Sequence, residues 1–139
     1  MDIEVTKRIE FSCCYIQNHQ IEAHHCKLEV TVSGPQRFQD FGRIITYEDL
    51  QRLLRNVVPD KSFLFKIDDE ASSQVADAFI SVGCKTQSYN FDISAENLCK
   101  YFAETLQEVL NIVEPGIVIH NMKFREDNNS YVSWSQEIM

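Results

Sequence analysis

The sequence has no apolar run approaching the ~20 residues of a membrane span, which excludes a transmembrane helix from its reading. Its first ten residues, MDIEVTKRIE, alternate charge where a secretory leader would be continuously apolar, and this predicts a cytoplasmic protein. Basic charge is scarce. Lys and Arg number 13 against 21 Asp and Glu, a net charge of −8. Nucleic-acid binding rests on a basic footprint, so the deficit argues against a nucleic-acid partner. Cys-x-x-Cys is absent and the cysteines are five, an odd number, which predicts reduced and mostly buried thiols in place of a disulfide framework. Internal repeats and low-complexity segments are lacking as well. What is left is one globular domain over residues 1–139, with 44% hydrophobic and 24% charged residues, enough for a single proper core.

Period-two alternation marks two long strands. In residues 3–16 one face carries Ile3, Val5, Ile9, Phe11, Cys13 and Tyr15, and in residues 22–32 one face carries Cys26, Leu28, Val30 and Val32. The short polar link between them predicts an antiparallel hairpin, which Gly34-Pro35 ends. Helical periodicity follows over 46–58, with Thr46 and Asp49 spaced as a capping box and a stripe of Leu50, Leu53, Leu54 and Val57. A second helix spans about 94–113 with Ser94 as its N-cap, and Pro115-Gly116 stops it. Strands are predicted over 117–126 and around 131–134, joined by an Asp-Asn-Asn turn. Residues 60–90 fit short strand or helix equally. The pattern predicts an α+β fold: a four-stranded antiparallel sheet, both helices packed on one face, in ββααββ order.

The stretch EAHHCKLEV, 22–30, holds ligand-type side chains at alternate positions. Strand alternation sends Glu22, His24 and Cys26 to the core side and His25 to the other. Tyr15 has the core-side parity of the first strand, so Tyr15, Glu22 and His24 are expected to converge near the closed end of the hairpin. Two readings stay open. Same-face neighbours roughly 7 Å apart can share one ion; equally, His24 and Glu22 form a satisfied polar pair. Cys26 reads as core filler, since a free cysteine packs as a small hydrophobe. His120, by parity in the 117–126 strand, reads as packed core.

Several segments in order resemble the 6-pyruvoyltetrahydropterin and 6-carboxytetrahydropterin synthase family, which has the tunnelling fold. FSCCY, 11–15, is similar to its Phe-x-x-x-His; EAHHCKLEVTVSG, 22–34, to its His-Gly-His-Asn-Tyr strand; GRIITYEDLQRLL, 42–54, to its entry into helix one. SAENLCKYFAETL, 94–106, resembles its Thr-x-Glu-Asn-x-x-x-Tyr helix, and MKFREDNNSYV, 122–132, its closing hairpin. The resemblance implies a zinc-dependent lyase acting on pterins, in queuosine or biopterin metabolism, and a homo-oligomer, most often a hexamer. It places the three zinc histidines on Tyr15, Glu22 and His24, of which only His24 is a histidine. The nucleophilic cysteine falls on Asn18, which forms no thiolate, and the Asp-His pair that activates it falls on Pro59 and Asp60.

What the resemblance retains is the ring anchor. Glu126 matches the family glutamate, whose carboxylate accepts two hydrogen bonds from the N–H edge of a 2-amino-4-oxo ring. Ser94 and Glu96 match the family's helix segment, although a cap and a first-turn acid account for them equally. The expectation is a catalytically degenerate relative that keeps a pterin-like ring on Glu126, Ser94 and Glu96, with Tyr15, Glu22 and His24 holding zinc weakly or not at all. Two alternatives stand beside it. One is an active lyase with an altered metal site on Glu22, His24 and Cys26; the other is a non-catalytic oligomeric subunit with a structural or regulatory role.

Overall fold

The computed structural model describes residues 3–136. Two fifteen-residue strands, β1 (Ile3–Gln17) and β2 (Gln20–Gly34), form the predicted hairpin, paired in unbroken register from Ile3↔Gly34 to Gln17↔Gln20. Its turn is only two residues, and Asn18 takes the left-handed φ of 58° that asparagine tolerates better than most side chains. Helix α1 (Tyr47–Val57) follows, its Thr46 hydroxyl accepting from the Asp49 amide as the capping box requires.

Residues 60–90 resolve into β3 (Ser62–Lys66), α2 (Glu70–Ser81) and β4 (Thr86–Tyr89). Helix α3 (Ala95–Val113) is capped by Ser94, and β5 (Val118–Arg125) and β6 (Val132–Ser135) close the chain. The sheet therefore has six strands in the order β4-β3-β1-β2-β5-β6. This corrects the expected four-stranded antiparallel sheet: β3 runs parallel to β1, and β4 parallel to β3. The added unit was hidden because a five-residue and a four-residue strand carry too little alternation to be told from helix.

One face of the sheet holds the main core. Phe11 of β1, Phe124 of β5 and Phe102 of α3 form a three-ring cluster, with Phe102 edge-on to both others at centroid distances of 6.1 and 5.7 Å. Leu50 and Leu54 of α1 and Leu98, Leu106 and Leu110 of α3 are fully buried against it. The two predicted helices thus share a face. Helix α2 does not. Leu64 of β3 points into the main core, whereas its neighbour Phe63 stacks on Phe79 of α2 at 4.1 Å. Strand alternation puts those side chains on opposite faces, so α2 covers the reverse side of β1, β3 and β4.

A bulge overturns the placement of His120. The β2–β5 register jumps between Thr31↔Asn121 and Val32↔Ile119, leaving His120 as the extra residue. Val118 and His120 therefore turn outward and Ile119 inward, while Met122 and Phe124 keep the core-side parity. Gly34 is closely approached by the chain, since a Cβ there would lie 3.2 Å from the Gly116 carbonyl oxygen, which would have to give by a few tenths of an ångström. Three of the five cysteines, Cys13, Cys26 and Cys99, are buried, and Cys14 and Cys84 are half-exposed. No helix among the described residues is long and apolar enough to cross a membrane.

Because Leu64 is fully enclosed, Leu64→Ala is expected to cost about 2–5 kcal/mol, the usual range for a buried leucine. Urea unfolding measures it. A cost below about 1 kcal/mol would contradict the placement of β3 in the main core.

Candidate functional site

The β1–β2 register brings the expected side chains together. Tyr15 lies directly opposite Glu22, and Cys13 opposite His24, so His24 stands diagonally from Tyr15 on the same face. The Tyr15 and His24 rings lie 4.3 Å apart at 39°. Strand β5, paired to β2 from Lys27↔Arg125 onward, delivers Glu126 to the same spot just past its end. The Tyr15 hydroxyl donates to Glu126 Oε2 at 2.8 Å. His24 Nδ1 lies 3.3 Å from the Glu126 carbonyl oxygen, and its Nε2 lies 3.3 Å from Glu22 Oε2. Carbonyl and carboxylate oxygens both only accept, so each of these contacts is a hydrogen bond only when the ring nitrogen facing it carries the proton.

The sequence alone gives Tyr15 and Glu126 separate roles, one toward a metal and one toward a ring. Their contact depends on the β2–β5 register across 111 residues of chain, which no local signal encodes. The turn after Glu126 is braced by Asp127, whose Oδ1 accepts from the Asn129 and Ser130 amides at 2.7 and 3.0 Å. Those backbone bonds, that of Asn129 foremost, hold its carboxyl below the ordinary range.

The donor set suits hydrogen bonding and does not suit zinc. Burial first, then the bond to Glu126, push the Tyr15 phenol far above its usual range, so it stays a proton donor and offers no phenolate. That leaves one imidazole nitrogen and the largely exposed carboxylate of Glu22, where a zinc site needs at least three protein ligands. Cys26 does not supply the third. Its sulfur is fully buried and lies 3.9 Å from Cys13 Sγ. Among the described residues no group of three His, Cys, Asp or Glu side chains comes together in metal-holding geometry.

The other candidates have separate partners. Ser94 spends its hydroxyl on the Asn97 amide at 3.2 Å, and Glu96 is exposed in the first turn of α3. Neither makes a hydrogen bond to Glu126. The helix start is nevertheless tied to the hairpin's closed end, since Gln17 Nε2 donates to the Ile93 carbonyl at 2.5 Å. Asn18 contributes its backbone amide to Ser72 Oγ of α2 at 2.9 Å. Asp60 accepts from the Ser12 amide at 3.0 Å, a structural bond, and Pro59 is buried.

Comparison with known proteins gives a family. Residues 4–137 match 6-pyruvoyl tetrahydropterin synthase. The chain belongs to the 6-pyruvoyl tetrahydropterin synthase family. No curated protein matches it. Among solved structures it is similar to an uncharacterized protein from Wolinella succinogenes, with a TM-score of 0.75 at 14% identity over 99% of both chains. It is also similar to the 6-pyruvoyl tetrahydropterin synthase of Plasmodium vivax, with a TM-score of 0.71 at 12% identity over 99% of both chains. The Plasmodium falciparum enzyme gives 0.62 at 15% identity, again over 99% of both. At such identities these likenesses speak to the fold, and the family's tunnelling-type α+β architecture is the one expected from the quoted segments.

The thiols provide a check on this geometry. The hydrogen bond with Cys26, then burial, push Cys13 far above the ordinary thiol range, and burial pushes Cys99 to about 11. Native protein at neutral pH is therefore expected to release chromophore from a disulfide reagent at Cys14 and Cys84 only, and all five thiols should react in denaturant. Rapid native labelling of Cys13 or Cys26 would contradict the packing beneath the site.

Proposed function

We propose that the chain is a ring-binding member of the 6-pyruvoyl tetrahydropterin synthase family that works without the thiolate and zinc chemistry of its relatives. It holds a pterin-like 2-amino-4-oxo ring through Glu126, beside the start of α3 at Ser94 and Glu96. The observation that carries this reading is the bond from Tyr15 to Glu126. It fixes one carboxylate oxygen with a permanent donor and leaves the other free to accept from a ligand. By the family resemblance Tyr15 falls at a metal-ligand position, and its bond to Glu126 would give the site a rigid anchor there in place of an ion. Asn18 supplies no nucleophile, and the acid–base pair that would activate one has given way to Pro59 and a structurally engaged Asp60.

A second reading has its own support. One solved Plasmodium vivax 6-pyruvoyltetrahydropterin synthase is a mutant in which a catalytic glutamate is replaced by alanine. A carboxylate can therefore take part in catalysis in such a protein. In this chain Glu22, exposed and 3.3 Å from His24 Nε2, is the carboxylate placed to do so, which would make the protein a lyase with a non-thiol base. Assembly belongs to the proposal too. Among the described residues the sheet ends on two unpaired strands, β4 and β6, and pairing of such edges between copies suits a homo-oligomer, a hexamer by family likeness.

Fluorescence titration with an oxidised pterin tests the ring site. Saturable binding is expected, weakened at least about tenfold by Glu126→Ala, since a charged hydrogen-bond pair contributes about 1.5–3 kcal/mol. No binding by the wild type, or unchanged binding by the variant, would defeat it. Zinc content after purification without added metal is expected below about a tenth of an equivalent, given one firm protein ligand where a site needs three or more. About one equivalent, lost in His24→Ala, would overturn the metal-free reading in favour of the lyase.

A further inference from the structure

The main core holds a pair of sulfurs that the ring site leaves unused. Cys13 and Cys26 are almost wholly enclosed, and their Sγ atoms share an S–H···S hydrogen bond at 3.9 Å. We propose that this pair binds one soft monovalent metal ion of the Cu(I) class, in place of the proton that the two sulfurs share. Glu126 takes no part in it.

Register decides between an ion and a disulfide. Cys13 lies opposite His24, and Cys26 opposite Phe11, so the two cysteines are diagonal neighbours on the core side of the hairpin. Diagonal neighbours stand roughly 7–8 Å apart, at or beyond the ~7 Å between Cα atoms that a disulfide can span. Joining the sulfurs directly would also draw them from 3.9 Å to about 2.0 Å across two packed strands. A bridging ion asks for the opposite movement. On the scale of a zinc–thiolate bond, about 2.3 Å, two ligating sulfurs stand at most ~4.6 Å apart. From the observed 3.9 Å that is an opening of under about 1 Å.

Charge and donor number select the ion. The pair belongs to the same core cluster as Phe11, Leu28 and Phe124, where an uncompensated charge is costly. A monovalent cation that displaces one proton leaves the charge of the pair unchanged. One S–H bond breaks, the ion bonds to both sulfurs, and the proton leaves to solvent. Zinc takes four ligands in such closed sites and finds two sulfurs here, whereas Cu(I), with its filled d shell, is satisfied by two sulfurs and prefers them. The enclosure that keeps disulfide reagents from Cys13 and Cys26 also keeps competing thiols from stripping a bound ion.

Anaerobic titration with Cu(I), supplied against a coloured chelator, tests the proposal. The full chain carries Cys14→Ser and Cys84→Ser for this purpose, which removes the two half-exposed thiols. One equivalent is expected to pass to the protein, with an affinity that rises about tenfold per pH unit as one proton is displaced. Cys13→Ala and Cys26→Ala are each expected to weaken it at least about tenfold. Cys99→Ala, which removes a thiol that donates to the Met122 carbonyl, is expected to change it less than about twofold. If an alanine variant loses its native circular dichroism spectrum, X-ray absorption of the copper-loaded parent chain decides, with sulfur the expected neighbour and no nitrogen or oxygen on the metal. Four outcomes would each overturn the assignment: no transfer of copper, equal weakening by Cys99→Ala, nitrogen or oxygen bound to the metal, or a Cys13–Cys26 disulfide formed under diamide.

Discussion

Fifteen consecutive cross-strand pairs between β1 and β2 fix the positions on which everything else rests. A one-residue slip in that ladder would exchange its faces, sending Phe11, Cys26, Leu28 and Val30 into water and Arg8 and Glu29 into the core. The apolar face forbids the slip, and the two-residue turn at Asn18 and His19 leaves no slack for it. With the register locked, Tyr15 must stand across from Glu22 and beside His24. The remaining strands attach to this hairpin on both sides, β3 and β4 along β1, β5 and β6 along β2.

The chemistry of the site follows from what that ladder buries. Tyr15 is almost wholly enclosed while its hydroxyl reaches Glu126, so burial and that bond keep it protonated as a donor at neutral pH. A buried phenol with a carboxylate partner is a stable arrangement, and the same environment makes it a poor metal ligand. The side chains form a coherent polar group: Tyr15 donates to Glu126, and the two ring nitrogens of His24 face the Glu126 carbonyl oxygen and the Glu22 carboxylate. The anchor carboxylate is oriented from one side by the hairpin and from the other by the Asp127 turn.

Much of this was legible in the chain. Long uninterrupted alternation announced β1 and β2, Thr46 and Ser94 announced the helices they cap, and core-side parity alone brought Tyr15, Glu22 and His24 to one place. The rest required information that is not local. Strands β3 and β4 are too short to show a period, and their parallel pairing depends on a crossover through α2. His120 was misplaced because a single bulge residue reverses parity without any mark in the sequence around it. The Tyr15–Glu126 bond depends on how β5 registers against β2. Ser94 and Glu96, named from family likeness, are found as the N-cap and a first-turn acid of α3, positions that their residue types allowed from the start.

The central claim is that Tyr15 and Glu126 act as one unit, and a double-mutant cycle measures that directly. Urea unfolding of the wild type, Tyr15→Phe, Glu126→Gln and the double variant yields the coupling between the two side chains. A bond between a buried phenol and a carboxylate predicts a coupling of about 1–3 kcal/mol, each single variant costing stability and the second change adding little. Strictly additive losses, with a coupling indistinguishable from zero, would contradict it.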